Sequence, residues 1–321
     1  MAPSVGVLVM AYGTPPSLDE LEAYYTHIRR GRPPAPDQLD ELRSRYEAIG
    51  GISPLLALTR AQEAAIGAAL DEADPGRFVT ALGQKHAAPF IEDGAAALVA
   101  RGVESVVGVV LAPHYSGASV GQYHDRATEA VGQLPYVGVE HWHDLDALTH
   151  FLAGALRSAT ATAPPRHKVL FTAHSLPERV LSGGDPYPDQ LHQSATAVAG
   201  AAGLAAWGDW GLAWQSAGRT PEPWRGPDVL AVIDQLAATG RCDGVVVCPQ
   251  GFTADHLEVL YDLDIEARRH AESLGLWFGR TRSVNDDPGV MAALAGLVRG
   301  HVPGAVAADQ AGAGDQAGGT P

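Results

Sequence analysis

The sequence predicts an α/β protein of two domains, and three observations support this fold class. Short β-branched apolar runs alternate with amphipathic Ala/Leu-rich segments, which is the pattern of parallel sheets covered by helices. At 321 residues, of which 46% are hydrophobic, the chain is long enough for two domains with buried cores. Polar residues also collect where the predicted strands end, and open α/β sheets bind ligands at those carboxyl ends.

The apolar runs predict eight strands, four in each half of the chain. They are expected at 5–11, 78–83, 105–112, 137–141, 168–173, 205–215 (interrupted), 244–248 and 277–281. The amphipathic segments between them predict helices at 18–27, 36–49, 59–73, 90–100, 119–131, 145–157, 188–202, 229–238, 255–274 and 288–299.

A linker is expected at 159–166, because Pro164 and Pro165 block regular structure there. The predicted domains are therefore 1–158 and 159–303. We expect the last helix, 288–299, to pack back onto the first domain, since the second half already has its own strands. The tail, 304–321, is rich in Gly, Ala, Gln and Asp without periodicity and is expected to be disordered.

Charge and cysteine content exclude several classes of protein. A formal net charge of -15 argues against nucleic acid or an anionic membrane surface as the main partner. No apolar run approaches the ~20 residues of a membrane span, and the N-terminus does not resemble a signal peptide. The two cysteines, Cys242 and Cys248, predict no disulfide framework and are too few for a cluster that needs four thiolates. These features predict a cytoplasmic protein.

The segment 255–266 is the most informative part of the chain. It holds five carboxylates and no Lys or Arg, and Glu258, Asp262 and Glu266 follow an i, i+4, i+8 spacing that forms one stripe on a helix. Like charges at this spacing repel by roughly 0.2–0.5 kcal/mol per pair. Two interpretations remain open: a solvated acidic face, or a row of hard oxygen ligands that passes a divalent cation or protons to a site.

Other candidate residues lie at strand ends and in a basic segment. His174 follows the apolar run 169–173, where a general base or a metal ligand is favoured over a hydrogen-bonded core histidine. His86 and His114 hold similar positions, and neither interpretation is favoured for them. The segment 24–34 concentrates arginines that suit substrate carboxylates, with a solvated helix end as the alternative. Trp224 lies in a Pro-rich loop, and its ring could pack over a flat apolar ligand.

These residues resemble the ferrochelatase family, and within it the coproporphyrin type of Gram-positive bacteria. The similar blocks are 10–15 (MAYGTP), 24–32 (YYTHIRRGR), 45–55 (RYEAIGGISPL), 83–86 (GQKH), 111–114 (LAPH), 173–178 (AHSLPE), 184–191 (GDPYPDQL), 214–216 (WQS), 226–229 (GPDV) and 255–262 (DHLEVLYD). The resemblance implies two similar Rossmann-like domains, each a parallel sheet flanked by helices, with a porphyrin cleft between them, as in chelatases.

The resemblance also implies roles for individual residues. His174 and Glu258 correspond to the paired His and Glu at the metal-insertion site, where both are catalytic and bind metal. Asp262 and Glu266 continue the acidic row as a proton or metal relay. Tyr12 matches the residue that coordinates the iron of the product. Substrate-binding positions are expected at Tyr12, Arg29, Arg30, Arg45, Ser53, Lys85, His86, Tyr123 and Trp224.

The implied activity is the insertion of Fe²⁺ into coproporphyrin III in haem biosynthesis, with release of two protons. Fe²⁺ is then a substrate, and neither a permanently bound cofactor nor an iron–sulfur cluster is expected. A monomer is expected, with transient contact to the next enzyme of the pathway. Two kinds of alternative remain open: a chelatase that uses protoporphyrin IX or another divalent metal, and a haem or porphyrin carrier that inserts no metal.

Overall fold

Two four-stranded parallel sheets form the frame of the protein in this computed structural model, which describes residues 4–206, 208–218 and 220–303. The first sheet, in the order β2-β1-β3-β4, consists of β1 (Val5–Ala11), β2 (Phe78–Gln84), β3 (Ser105–Val110) and β4 (Tyr136–Val139). The second, in the order β6-β5-β7-β8, consists of β5 (His167–His174), β6 (Trp210–Gln215), β7 (Gly244–Cys248) and β8 (Trp277–Arg280). Both sheets follow the same topology, so the predicted fold class is confirmed.

The inner strands are buried on both faces, which explains their composition. Every residue of β1, β3 and β7 is buried, and valine dominates all three. Such strands occur in parallel sheets that are covered by helices on each side, and β-branched side chains suit the pleated surface. The eight predicted strands are confirmed with small shifts at their ends; 205–215 shrinks to β6.

Helices cover the sheets and join their strands. In chain order they are α1 (Leu21–Ile28), α2 (Pro36–Ala48), α3 (Leu55–Ala73), α4 (Ile91–Ala100), α5 (Gln122–Val131), α6 (Asp146–Thr160), α7 (Glu178–Leu181), α8 (Tyr187–Ala202), α9 (Val229–Thr239), α10 (Leu257–Leu260), α11 (Arg268–Ser273) and α12 (Pro288–Gly300). The short α7 was not predicted. Among the helices in the described ranges, none is long and apolar enough to cross a membrane.

The prediction of one continuous helix over 255–274 is wrong. The segment forms α10, then a π-helix (Asp262–Ala267), then α11. The carbonyl oxygen of Tyr261 accepts hydrogen bonds from the N–H groups of both Ile265 (3.2 Å) and Glu266 (2.9 Å), which is where the winding widens. Single π turns are rare and are often found at functional sites.

The two halves share one core and exchange helices. A continuous apolar cluster contains β1 and β3 side chains together with Phe171 and Val246 of the second sheet. Helix α12 packs against α3 in the first half, where Gln62 Nε2 donates to the carbonyl oxygen of Asn285 (2.8 Å). Helix α6 packs against α8 in the second half. The domain boundary at 158/159 stays a prediction, and the predicted disorder of 304–321 lies outside the described residues.

The carboxyl ends of the strands from both halves meet at one place. The hydroxyl of Thr253, in the turn after β7, donates to the carbonyl oxygen of Leu111, just past β3 (2.8 Å). In the same turn, Gly251 lies directly on β5, and its N–H donates to the carbonyl oxygen of Thr172 (3.1 Å). These contacts fix the loop after β7 against the end of β5.

We predict that Gly251→Ala destabilises the protein by about 1–3 kcal/mol, because overpacking a tight contact forces the backbone to move. A Cβ at this position would lie 2.6 Å from Ala173 Cβ and 2.9 Å from Ala173 Cα. Urea unfolding measures the effect. The matched control is Gly200→Ala in α8, where the described residues place no atom within 4 Å of the new Cβ. Equal stability of the two variants would contradict the prediction.

Candidate active site

A cavity of about 270 Å³ lies at the junction of the two halves, at the carboxyl ends of the strands. Tyr12 and Tyr123 line it from the first half, and His174, Tyr187 and Glu258 line it from the second. It shares wall residues with a larger, open groove of about 1140 Å³ on the first half. The structure therefore brings together candidate residues that are far apart in the sequence.

His174, the last residue of β5, faces the carboxylate of Glu258. Its Nδ1 lies 2.5 Å from the carbonyl oxygen of Ser175, which can only accept, so Nδ1–H is the donor. In the neutral ring Nε2 then carries the lone pair, and it lies 3.8 Å from Glu258 Oε2. His174 therefore offers a nitrogen that can accept a proton or bind a metal, next to a carboxylate.

The Glu258 carboxylate lies between two imidazoles, and the second was missed by the sequence analysis. His256 Nε2 is 3.8 Å from the same carboxylate oxygen, and its Nδ1 lies 2.9 Å from the carbonyl oxygen of Ala254. Burial lowers the pKa of His256, but hydrogen bonding and attraction to Glu258 outweigh it, so the net shift is upward. The sequence His256-Leu257-Glu258 could have indicated this histidine, because it lies two residues before Glu258 in the acidic segment.

Glu258 stays ionised although it is enclosed. Burial raises the pKa of its carboxyl, but attraction to His174 and the contacts with His256 and Arg45 reverse the shift, and the net pKa is lowered. Its main-chain carbonyl oxygen accepts a hydrogen bond from Gln215 Nε2 (2.9 Å), so the end of β6 holds α10 in place. The site therefore keeps a fixed negative charge at its centre.

Tyr12 follows β1 and has 43% of its surface exposed, at the boundary between cavity and groove. Its ring packs against His86, with centroids 4.7 Å apart. The surrounding walls raise the pKa of its phenol strongly, and the charge of Glu258 adds to this. Tyr12 is therefore a neutral phenol until something positive approaches its oxygen.

The acidic row behind Glu258 is only partly solvated. Asp262 is 7% exposed; it accepts a hydrogen bond from the Ser216 hydroxyl (2.5 Å) and pairs with Arg45 (3.4 Å). Burial and then the charge of Glu258 raise the pKa of Asp262, with a smaller contribution from Glu266; Ser216 and Arg45 oppose them, and the net pKa is about 6. A simple solvated acidic face does not describe this residue.

The other two acids of the segment have a structural role. Arg280, at the end of β8, pairs with Asp264 (2.7 Å) and with Asp255 (3.2 Å). The Ser283 hydroxyl also donates to Asp255 (2.7 Å). The five carboxylates therefore divide into two that pair with Arg280 and three that continue from the cavity.

The large groove next to Tyr12 has cationic side chains beside the phenol and acidic ones further along its wall. Its cations are Arg30, Lys85 and Arg126, of which Arg126 pairs with Glu92 (2.7 Å), and its acids are Asp19 and Glu22. Lys85 also lines the cavity, with its Nζ 4.9 Å from the centroid of the Tyr123 ring. Burial, followed by Arg126 and Arg30, lowers the pKa of Lys85 to about 8. Burial and the neighbouring cations lower the pKa of His86 to about 3, so its ring is neutral.

Four predicted substrate-binding residues lie outside the walls of cavity and groove, as far as the described residues define them. Arg45 is engaged with Asp262 and with Glu41 (3.2 Å), and its guanidinium lies over the Tyr261 ring. Arg29 is partly exposed just after α1 and donates from Nε to the carbonyl oxygen of Arg32 (3.2 Å).

The remaining two have mainly local contacts. Ser53 is buried, and its hydroxyl accepts a hydrogen bond from the N–H of Leu55 at the start of α3 (3.3 Å). Trp224 donates from Nε1 to the Thr220 hydroxyl (3.0 Å), and its backbone pairs with Pro177, three residues after His174. Their predicted roles stay predictions.

Comparison with known proteins shows what the chain is similar to. The family model described as Ferrochelatase matches residues 4–302. Coproporphyrin III ferrochelatase of Geobacillus kaustophilus is 43% identical over 303 residues, covering 92% of this chain and 95% of the relative. The protein of the same name from Bacillus subtilis is 42% identical over 302 residues, covering 92% and 96%.

A solved structure extends the similarity in fold alone. The sirohydrochlorin chelatase SirB from Bacillus subtilis subspecies spizizenii, in complex with cobalt, superposes with a TM-score of 0.52 at 11% identity. The match covers 95% of this chain and 97% of the other. The paired four-stranded sheets are thus shared with a chelatase.

We predict that Asp262→Asn changes how stability depends on pH. Folding raises the pKa of Asp262 from 3.8 to about 6, so its protonated form is favoured in the folded state. This contribution is present below pH 4 and is lost as the pH rises through 6. Between pH 4 and pH 7 the free energy of unfolding of the wild type should therefore fall, relative to that of the variant, by up to about 3 kcal/mol. Urea unfolding at pH 4 and pH 7 measures it, and parallel curves would contradict it.

Proposed function

The chain belongs to the ferrochelatase family, and we propose that it inserts Fe²⁺ into coproporphyrin III to form coprohaem in haem biosynthesis, releasing two protons. The observation that carries this proposal is the position of His174 and Glu258 on one cavity, with Tyr12 on its opposite half. The names of relatives at 42–43% identity support coproporphyrin III as the porphyrin and Fe²⁺ as the metal.

The chemistry of insertion matches the charges of the site. Two pyrrole N–H protons must leave, and a dication must lose its water before the ring nitrogens can bind it. The lone pair on His174 Nε2 suits a proton acceptor or a first ligand for the metal. Glu258 has a lowered pKa and is therefore ionised. Its negative charge attracts the dication and stabilises the imidazolium that forms when His174 takes a proton.

Asp262 and Glu266 extend this site toward the surface as a relay. With a pKa of about 6, Asp262 can both take and release a proton near neutral pH, whereas an ordinary Asp would stay ionised. Oxygen ligands in this row also suit a hard divalent cation on its way to the cavity. The effect of Glu258 and Glu266 on the pKa of Asp262 supports electrostatic contact along the row.

Tyr12 suits the ligand of the product iron. Its phenol is neutral in the free protein, because its pKa is raised. An approaching cation would lower that pKa and favour the phenolate, which is the form that binds iron. Because Tyr12 borders both cavity and groove, a ring held between them meets its oxygen. The His86 ring packs against this phenol, with centroids 4.7 Å apart, and this contact supports its orientation.

The propionates of coproporphyrin need cationic partners, which the groove supplies. Coproporphyrin carries four carboxylates, while protoporphyrin carries two and has apolar vinyl groups instead. Burying an unpaired carboxylate costs several kcal/mol, so a tetracarboxylate needs more donors than a dicarboxylate. Lys85 and Arg30 are the nearest candidates beside Tyr12, and an anion there also relieves the repulsion that lowers the pKa of Lys85.

Several sequence predictions belong to this proposal without further support from the structure. They are a cytoplasmic location, a monomeric state, transient contact with the next haem-pathway enzyme, and the lack of a permanently bound cofactor or iron–sulfur cluster. Cys242 and Cys248 are both buried, and burial raises the pKa of each thiol, to about 12 for Cys248. Neither is therefore a ready thiolate ligand.

We predict that His174→Ala reduces iron insertion to less than a tenth of wild type, while coproporphyrin binding changes by less than about tenfold, or ~1.4 kcal/mol. The measurement is anaerobic visible absorbance of the protein with Fe²⁺ and the porphyrin. His167→Ala, at the opposite end of the same strand, is the matched control and should insert iron normally. A wild type that binds the porphyrin without inserting iron would support a carrier.

We predict that coproporphyrin III is preferred over protoporphyrin IX in kcat/KM by at least about tenfold, the effect of one ~1.4 kcal/mol contact. Lys85, with its pKa lowered to about 8, carries its full charge below pH 7 and loses it as the pH rises through 8. The KM for coproporphyrin should therefore rise between pH 7 and 9 more than that for protoporphyrin.

Steady-state kinetics with both porphyrins checks this, and Lys85→Gln should remove both the pH effect and part of the preference. The control is Lys168→Gln, near the start of β5 and so at the end of that strand away from the cavity. It should leave the pH effect and the preference unchanged. Equal metallation of the two porphyrins by the wild type would overturn the choice of substrate and leave the family assignment intact.

A further inference from the structure

A second group of metal-binding side chains lies outside the cavity, in the loop that follows β4. His141, His143 and Asp144 each offer one ligand atom, and these three atoms all lie within 4.8 Å of one another. His141 Nδ1 is 3.6 Å from Asp144 Oδ1, a separation that two ligands of one metal ion can have. None of these residues has a role in the proposed insertion reaction.

The hydrogen bond of His143 leaves one of its nitrogens without a partner. His143 Nε2 lies 3.2 Å from the side-chain oxygen of Gln193, which only accepts, so Nε2–H is the donor and Nδ1 carries the lone pair. This Nδ1 is buried, and within the part of the chain that the structure describes it has no hydrogen-bond partner. Buried polar atoms are rarely unpaired, so an unpaired acceptor beside two further ligands points to a cation.

The backbone holds this group in place. Trp142, between the two histidines, is buried; its Nε1 donates to the carbonyl oxygen of Val110 and its N–H to that of Pro113, both at 2.9 Å. The chain turns directly after Trp142, whose carbonyl oxygen accepts a hydrogen bond from the N–H of Leu145 (3.2 Å), and the rings of His141 and His143 have centroids 5.0 Å apart. His141 and Asp144 remain accessible to solvent, which gives an ion a path of entry.

We propose that His141, His143 and Asp144 form a binding site for a divalent transition-metal ion, with water completing its coordination. Two imidazoles and one carboxylate are the donors that Zn²⁺ and its neighbours in the first transition series prefer. Mg²⁺ and Ca²⁺ prefer sites made of oxygen alone. The contact of Gln193 with the far nitrogen of His143 matches the partner that metal-binding histidines usually have.

The site is separate from the cavity, although only one ring lies between them. His143 stacks on His114 with centroids 5.5 Å apart, and His114 lines the cavity. The Nε2 of His114 contacts the Ser194 hydroxyl (2.8 Å), which holds that ring as part of the wall. A metal ion on His143 would therefore stabilise the back of the wall and would not meet the porphyrin.

Zinc binding to the full-length protein in a His174→Ala, Glu258→Gln background tests this proposal, because the insertion site is then removed. Equilibrium dialysis should find one Zn²⁺ per chain. Adding His141→Ala should weaken binding at least roughly 100-fold, and Gln193→Ala roughly 10-fold, since losing a partner of a ligand costs less than losing the ligand. His150→Ala is the control, because His150 is exposed and its Nδ1 donates to the carbonyl oxygen of Asp146 in its own helix.

His141 is partly exposed, so its replacement should leave the fold intact, as circular dichroism can verify. Bound Co²⁺ should show the visible absorption of a low-coordinate site in the background protein, and His141→Ala should abolish it. No Zn²⁺ in the background protein, or unchanged binding after His141→Ala, would overturn the proposal. Iron insertion by His141→Ala alone should equal that of wild type. The zinc-binding test does not require iron insertion, so it can be interpreted even if the insertion proposal fails.

Discussion

One partly buried negative charge, that of Glu258, acts on several groups in and behind the cavity. It raises the pKa of the Tyr12 phenol and of Asp262, and it reverses the effect of burial on His256. In return, His174 and His256, each 3.8 Å away, keep Glu258 ionised. Burial is the largest reason that the phenol stays neutral and that the Asp262 carboxyl titrates near neutral pH, and the charge of Glu258 adds to both effects. For His256, attraction to Glu258 outweighs burial and biases the imidazole toward its charged form. The free protein therefore already holds an ionised carboxylate at the position where a dication would bind.

The fold keeps that charge in place through contacts that join distant parts of the chain. Gln215 at the end of β6 binds the carbonyl oxygen of Glu258, and Gly251 brings the turn after β7 onto β5 just before His174. The π-helix that follows α10 widens the winding at Tyr261, and Asp262 lies there, buried between Ser216 and Arg45. The site is therefore a property of the loops at the strand ends, while the strands themselves supply rigidity.

The sequence predicted the frame of the protein better than its site, for physical reasons. Strands buried on both faces need β-branched apolar runs, so β1 and β7 were predicted with their correct bounds. A π turn has no residue type of its own, so 255–274 was predicted as one helix. Arg45 pairs with Asp262, which is 217 residues away, and such a pairing has no local signature, so it was not predicted; the substrate-binding role of Arg45 stays a prediction. His256 became meaningful only when both imidazoles were seen on the same carboxylate.

Insertion requires a tetracarboxylate and a dication to meet, and a chain with a net charge of -15 repels the first. The structure separates the two charge requirements between its halves. Lys85 and Arg30 line the groove on the first half, while Glu258 and the acids behind it belong to the second. Tyr12 stands where these two regions meet, neutral until a cation approaches it. In the proposed reaction, Lys85 and Arg30 would bind porphyrin carboxylates on the first half, and Glu258 would attract the dication from the second, so that the two substrates would meet at Tyr12.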